Sequence, residues 1–281
     1  MQIKVEHLNF IYQPQSPSAS TALHDISFEI ARGELVALVG HGGSGKSTLA
    51  FNLAGLYQPS AGTVSVDGHS AGKNGVFSQV GLVFQYPEQQ LFGETVFEEV
   101  AFGARNFGAA ESSLPQKVRE ALERVGLDAD KLWHRSPFAL SGGQKRRVCI
   151  AGTLAVDPEV YILDEPTAGL DEGGRLWMLE LLRELHQQGK TVIWISHNMA
   201  EVAELAERVL VLADGRLLFD GAPAALFDDG ALLAAAGLRI PPAASLVREL
   251  RQRGAELPAR AVTVEQAAAE IGEWLEVRRD A

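Results

Sequence analysis

A single cysteine, Cys149, stands in 281 residues. One thiol cannot close an internal disulfide, so nothing points to an oxidising compartment, and a cytosolic location is expected. Long apolar runs are missing as well. Nowhere do the roughly 18 uninterrupted apolar residues of a membrane-crossing helix occur, so any role at a membrane is expected to come by docking. The opening Met1-Gln2-Ile3-Lys4-Val5-Glu6 alternates apolar with polar residues and lacks the basic flank and apolar stretch of a secretory leader. Positive charge is in deficit: 25 Lys and Arg stand against 36 Asp and Glu, for a net charge of −11 and a pI near 5.1. That balance excludes a protein whose main business is gripping a nucleic-acid backbone, which calls for basic patches. Finally, no internal repeat of 20 to 50 residues is present, so a solenoid or propeller is excluded.

What is present is ordinary globular composition, with 46% hydrophobic and 22% charged residues and a mean hydropathy of +0.01. The length fits one large α/β core with a small appendage. Ile3 to Tyr12 and Leu23 to Ile30 alternate apolar and polar residues, as strands do, around the Pro- and Ser-rich turn Gln13 to Ser20. Leu35 to Val39, Val80 to Phe84, Val160 to Leu163 and Thr191 to Ile195 are short apolar runs of the kind buried on both faces of a parallel sheet. Leu176 to Gln188 reads as the crossover helix before the last of them. Thr95 to Phe107 and Gln116 to Val125 carry helical spacing and suggest a helical insertion, about residues 85 to 136, in a sheet domain that ends near 220. Beyond Gly221 the composition turns to Ala, Leu and Arg, with a capping box at Thr263-Val264-Glu265-Gln266 opening a last helix.

Gly40-His41-Gly42-Gly43-Ser44-Gly45-Lys46-Ser47-Thr48 fits the phosphate-binding pattern GxxxxGK[ST] and lies between a buried strand and a helix. Gly40, Gly42, Gly43 and Gly45 let the backbone fold closely around phosphates, so that amides and the helix N-terminus meet the anion. Lys46 neutralises phosphate charge and Ser47 ligates Mg²⁺ in such loops. Asp164 and Glu165 end a strand at the carboxyl edge of the sheet, where nucleotide sites of open α/β folds lie; Asp164 is a candidate Mg²⁺ ligand and Glu165 a candidate base. Between these motifs, Leu140-Ser141-Gly142-Gly143-Gln144 offers either a second anion site or a plain helix N-cap. Lys145-Arg146-Arg147 behind it reads as a solvated helix face.

In this order and spacing the three motifs resemble the ATP-binding-cassette family, over about residues 1 to 220. The resemblance implies a RecA-like P-loop core with an N-terminal antiparallel β subdomain, a helical insertion and a C-terminal helical appendage. It also implies ATP hydrolysis with Mg²⁺ across a head-to-tail pair of cassettes. In that pair Ser141, Gly142, Gly143 and Gln144 close on the ATP held by the other chain's P-loop. The resemblance further implies that Tyr12 meets adenine, that Gln85 touches Mg²⁺ and water, that Asp171 lies in the loop between the cassettes, and that His197 faces the γ-phosphate.

Val83-Phe84-Gln85-Tyr86-Pro87-Glu88-Gln89-Gln90-Leu91-Phe92, with Val100-Ala101-Phe102-Gly103 and Pro137-Phe138-Ala139-Leu140, is similar to the A-type ATPases of energy-coupling factor transporters. The implied partners are a second ATPase subunit, a transmembrane coupling subunit and a substrate-binding membrane subunit, on the cytoplasmic face of the membrane, with a vitamin or transition-metal ion as cargo and with residues 221 to 281 helping the ATPases pair. Two positions depart from the common wording: Asn198 follows His197 where Asp is usual, and Glu172 follows Asp171 where Pro is usual. Soluble cassette ATPases of translation or repair fit less well. The former usually join two cassettes in one chain, and the latter insert a long coiled coil.

Two surface expectations follow. Leu91 and Phe92 are expected to line a docking groove with Glu88 or Glu94 on its rim, the alternative being that both belong to the chain's own core, and Leu246, Val247 and Leu250, with Ile271, Trp274 and Leu275, form apolar stripes that bury against a partner or the chain itself.

Overall fold

The computed structural model describes residues 3–70, 77–258 and 261–279. Two sheets organise the fold. The first is antiparallel, in the order β2 (Ser20–Ile30), β1 (Ile3–Tyr12), β4 (Ala61–Val66), β5 (His69–Ser70). β1 buries Ile3, Val5, Leu8 and Phe10, so its period-two pattern slips by one residue between Val5 and Leu8. A bulge there explains the slip: His7 takes a left-handed φ of 49°.

The second sheet runs β10 (Arg216–Gly221), β9 (Arg208–Ala213), β3 (Leu35–Val39), β8 (Thr191–Ile195), β7 (Val160–Asp164), β6 (Val80–Val83). All its pairings are parallel except that of β10 with β9. Its inner strands are buried along their whole length, and successive residues feed opposite cores. Val36, Leu38, Ile193, Ile195, Leu210 and Leu212 face one core, shared with the antiparallel sheet and with Leu49 and Leu53 of α1 (Lys46–Leu53). Leu35, Ala37, Val39, Val192, Trp194, Val209 and Val211 face the other. Burial on both faces is why these segments read as continuous apolar runs.

The second core is covered by helices: α2 (Val96–Asn106), α3 (Leu114–Arg124), α4 (Ala129–Leu132), α5 (Gly142–Val156), α6 (Glu172–Gln187) and α7 (Met199–Leu205). α5 packs on both α2 and α3. α6 begins before the expected Leu176 because the Asp171 side chain accepts from the Gly174 N–H at 2.8 Å and caps the helix. Of the C-terminal helices, α8 (Pro223–Asp228) and α9 (Gly230–Ala235) add Leu226, Phe227 and Leu233 to the second core. α10 (Pro242–Gln252) and α11 (Val264–Arg279) instead share a small cluster around Val247, Ala261 and Ala267. The capping box at Thr263 forms, with Thr263 Oγ1 accepting from Gln266 N at 3.2 Å and Gln266 Oε1 accepting from Thr263 N at 3.2 Å. The expected apolar stripes split. Val247, Leu250, Ile271 and Trp274 pack inward, whereas Leu246 and Leu275, each one position further round its helix, stay about half exposed.

Candidate nucleotide site

The P-loop links β3 to α1 at the carboxyl edge of the parallel sheet. Gly40 and Gly45 adopt φ values of 151° and 102°. A Cβ on Gly40 would sit 2.0 Å from the Leu212 carbonyl oxygen, and one on Gly45 would sit 2.8 Å from the Ala22 carbonyl oxygen, so only glycine fits either place. The turn between β9 and β10 props the loop from behind, with Gly215 N–H donating to Ser44 O at 3.1 Å.

Lys46 folds back across the loop and donates from Nζ to the carbonyls of Gly40 and His41, both at 2.9 Å. Burial pulls its pKa below the usual lysine value, against the opposing pull of Glu165 and Asp164. Ser47 Oγ donates to Asp164 Oδ2 at 2.7 Å. Burial raises the Asp164 pKa, opposed by the Ser47 hydrogen bond and supported by the Glu165 charge. A lysine pushed down and an aspartate pushed up in one cleft are two desolvated charges. The buried Ser44 hydroxyl has no hydrogen-bond partner. Such a cradle, with an unpartnered hydroxyl and a hydroxyl–carboxylate pair, suits an anion and a hard divalent cation. Mg²⁺ takes one or two carboxylates and completes its shell with water and phosphate oxygens.

Glu165 follows β7 in a left-handed conformation, φ 51°, which costs a residue with a side chain about 1–2 kcal/mol. Its N–H donates to Ile195 O at 3.1 Å, and its carboxylate accepts from His197 Nδ1 in a short contact. Glu165 is thus mostly sheltered while His197 is largely open. Asn198, the departure from the common Asp, caps α7 by accepting from Ala200 N at 3.1 Å, a task Asn performs as well as Asp. Glu172 pairs with Arg175 at 2.8 Å.

Tyr12 stands at the end of β1 with its hydroxyl 2.9 Å from Thr48 Oγ1. Phe10 meets its ring edge-on at 4.9 Å, and Tyr57 does so at 5.9 Å. The structure therefore links Tyr12 to Thr48, Ser47 to Asp164, Lys46 to Asp164 and Glu165, and Glu165 to His197. Gln85 is exposed just beyond β6, and Asp171 is engaged as the α6 cap. Ser141 and Gln144 form a complete capping box on α5 while Ser141, Gly142 and Gly143 stay exposed. A Cβ on Gly142 or Gly143 would meet nothing within 4 Å. This helix N-terminus opens outward, as a contact to another molecule requires.

Three expectations need correction. Arg146 is not on a solvated face: it is 6% exposed and bound to main-chain carbonyls. Three consecutive helical residues span too wide an arc to face solvent together on a helix packed from two sides. Leu91, 8% exposed, belongs to the helical-layer core and does not line a groove. Glu88 is turned inward, with Oε2 buried and unpartnered, and the carboxylate that lines the groove is Glu99, while Glu94 is exposed but outside that lining.

A parallel sheet ending in a P-loop and two carboxylates, with an antiparallel β subdomain and a helical layer, defines a P-loop ATPase of the ATP-binding-cassette architecture. The ABC transporter family profile matches residues 23–168. The chain is 46% identical over 273 residues to the energy-coupling factor transporter ATP-binding protein EcfA2 of Clostridium perfringens, covering 95% of this chain and 96% of that one. It is 48% identical over 286 residues to the protein of the same name from Symbiobacterium thermophilum, covering 100% and 99%. A solved structure of cbiO1 from Clostridium perfringens, described as part of the ABC transporter complex cbiONQ, superposes with a TM-score of 0.70 at 36% identity, covering 89% and 98%. The chain belongs to the ATP-binding-cassette transporter family, within its energy-coupling factor EcfA2 branch, and is an ATP-hydrolysing enzyme.

Proposed function

We propose that this chain is the ATP-hydrolysing subunit of an energy-coupling factor importer for a vitamin or a transition-metal ion. It acts as a dimer of cassettes on the cytoplasmic face of the membrane, with a transmembrane coupling subunit and a substrate-binding membrane subunit. The observation that carries the reading is the Ser47–Asp164 contact at 2.7 Å with Glu165 next in sequence, which joins phosphate cradle, cation ligands and base in one cleft. The complex described for the cbiO1 relative supports the membrane partners.

In this reading Tyr12 stacks on adenine, and the P-loop amides with Lys46 and Thr48 hold the phosphates. Ser47, Asp164 and Gln85 hold Mg²⁺, which neutralises charge on the phosphates when bound. Glu165 orients the attacking water and takes its proton, while His197 Nδ1–H holds that carboxylate in place and leaves Nε2 free to face the γ-phosphate. Ser141, Gly142, Gly143, Gln144 and Asp171 complete the site of the partner cassette. Catalysis is then positioning and charge stabilisation.

The docking surface is a groove of about 440 Å³ between β6 and the helical layer, lined by Leu82, Phe84, Phe92, Phe102 and Phe107. The protein should co-purify with two membrane proteins and release phosphate faster in that complex than alone. Recovery only as a soluble species, with uptake unaffected by its deletion, would reject the reading.

A further inference from the structure

The α5 helix behind Ser141 does more than present its N-terminus. Arg146, in the second turn of α5, points into the protein, away from Ser141. Its Nη1 donates to Ala168 O at 2.7 Å, and its Nη2 donates to Pro166 O at 2.6 Å and to Glu165 O at 3.2 Å. One planar guanidinium thus takes three main-chain carbonyls of a single turn, which a lysine ammonium on a flexible stem cannot match in geometry. That turn starts at Glu165, whose left-handed backbone persists only if its surroundings over-determine it. Both ends of the residue are held: Ile195 O takes its N–H, and Arg146 takes its carbonyl. Arg146 Nε and Glu88 Oε2 are both buried without a hydrogen bond. Glu88 belongs to the 3-10 turn Pro87–Gln90, which packs on α5, and its negative charge acts on the guanidinium.

The geometry points to Arg146 as a positioning residue for hydrolysis: by clamping the Glu165–Ala168 turn to α5, it sets the direction of the Glu165 carboxylate. This rests on the reading of Glu165 as the base. Arg146 touches neither nucleotide nor water in this account and acts only through that turn.

The test uses the assembled transporter carrying Arg146→Lys, Arg146→Gln, Glu165→Gln or the Arg146→Gln/Glu165→Gln pair, followed by single-turnover hydrolysis of radiolabelled ATP, ATP affinity and thermal unfolding. Both Arg146 variants should lose roughly tenfold or more in hydrolysis, as displaced catalytic groups do, with ATP affinity unchanged to within about twofold. In the Glu165→Gln background the Arg146→Gln change should add less than about twofold, because residues acting as one unit are not additive. An equal loss in both backgrounds overturns the proposal, as does wild-type hydrolysis by a folded Arg146→Lys protein. Arg146→Lys decides the matter if Arg146→Gln does not fold. Wild-type hydrolysis by Glu165→Gln alone removes the base assignment, a failure distinct from either of those.

Discussion

Truncating Phe92 to alanine separates docking from folding. The ring is 56% exposed and meets Phe102 edge-on at 4.6 Å, on the rim of the apolar groove. A phenylalanine side chain presents on the order of 200 Å², so about 110 Å² of it remains for a partner to cover. At about 25 cal/mol per Å² this amounts to between about 2 and 3 kcal/mol. Binding retains only the surplus over ordering and desolvation costs, which brings the expected loss of docking affinity to about 1–2 kcal/mol, or roughly five- to thirtyfold. The cost to the isolated protein is smaller, since the mutation forfeits mainly one aromatic edge contact worth about 0.5–1.5 kcal/mol. Capture of the transmembrane subunit, ATPase rate and melting temperature should be measured on the same preparation. Capture and uptake should fall together while the isolated ATPase rate holds. A large loss of melting temperature with capture intact per folded molecule would refute the docking role.

Lys46→Ala should abolish ATP binding by calorimetry, because the loop loses its only lysine, and unchanged affinity would reject the phosphate assignment. Asp164→Asn tests the electrostatics of the cleft. A carboxyl whose folded pKa is raised favours the fold in its neutral form, and this stabilisation is lost as pH rises through the folded pKa. The variant should therefore melt higher than wild type near neutral pH, and the gap should close as the buffer is acidified below that raised pKa; a gap that widens on acidification would contradict the cause given. Leu246→Asp with Leu275→Asp should weaken ATP-independent pairing in sedimentation experiments without lowering the melting temperature, since both side chains are about half exposed. These changes are cleaner than a cut after Gly221, which would strip Leu226 and Phe227 from the main core.

What the sequence revealed, and what it hid, follows physical lines. The parallel strands were legible because burial on both faces leaves uninterrupted apolar runs, and the P-loop because its glycines stand between one such run and a helix. Asp164 and Glu165 were legible from their place at a strand end. The left-handed turn of Glu165 was not, because that conformation comes from Ile195 O and Arg146, which are distant in sequence. Arg146 was hidden by its neighbours: Arg147 sits over Trp177 at 4.6 Å, and a basic triplet gives no sign of which member turns inward. Leu91 and Phe92 are adjacent and both apolar, so which of them faces the core depends on the 3-10 turn before them. The aromatic setting of Tyr12 was half legible, since Phe10 shares its face of β1 by period two while Tyr57 comes from the segment after α1.

Glu165 as the base of ATP hydrolysis is checked by phosphate release from purified Glu165→Gln protein. The variant should bind ATP as tightly as wild type, accumulate as an ATP-bound dimer and lose roughly 10²- to 10⁴-fold in turnover. Turnover equal to wild type would place the base elsewhere.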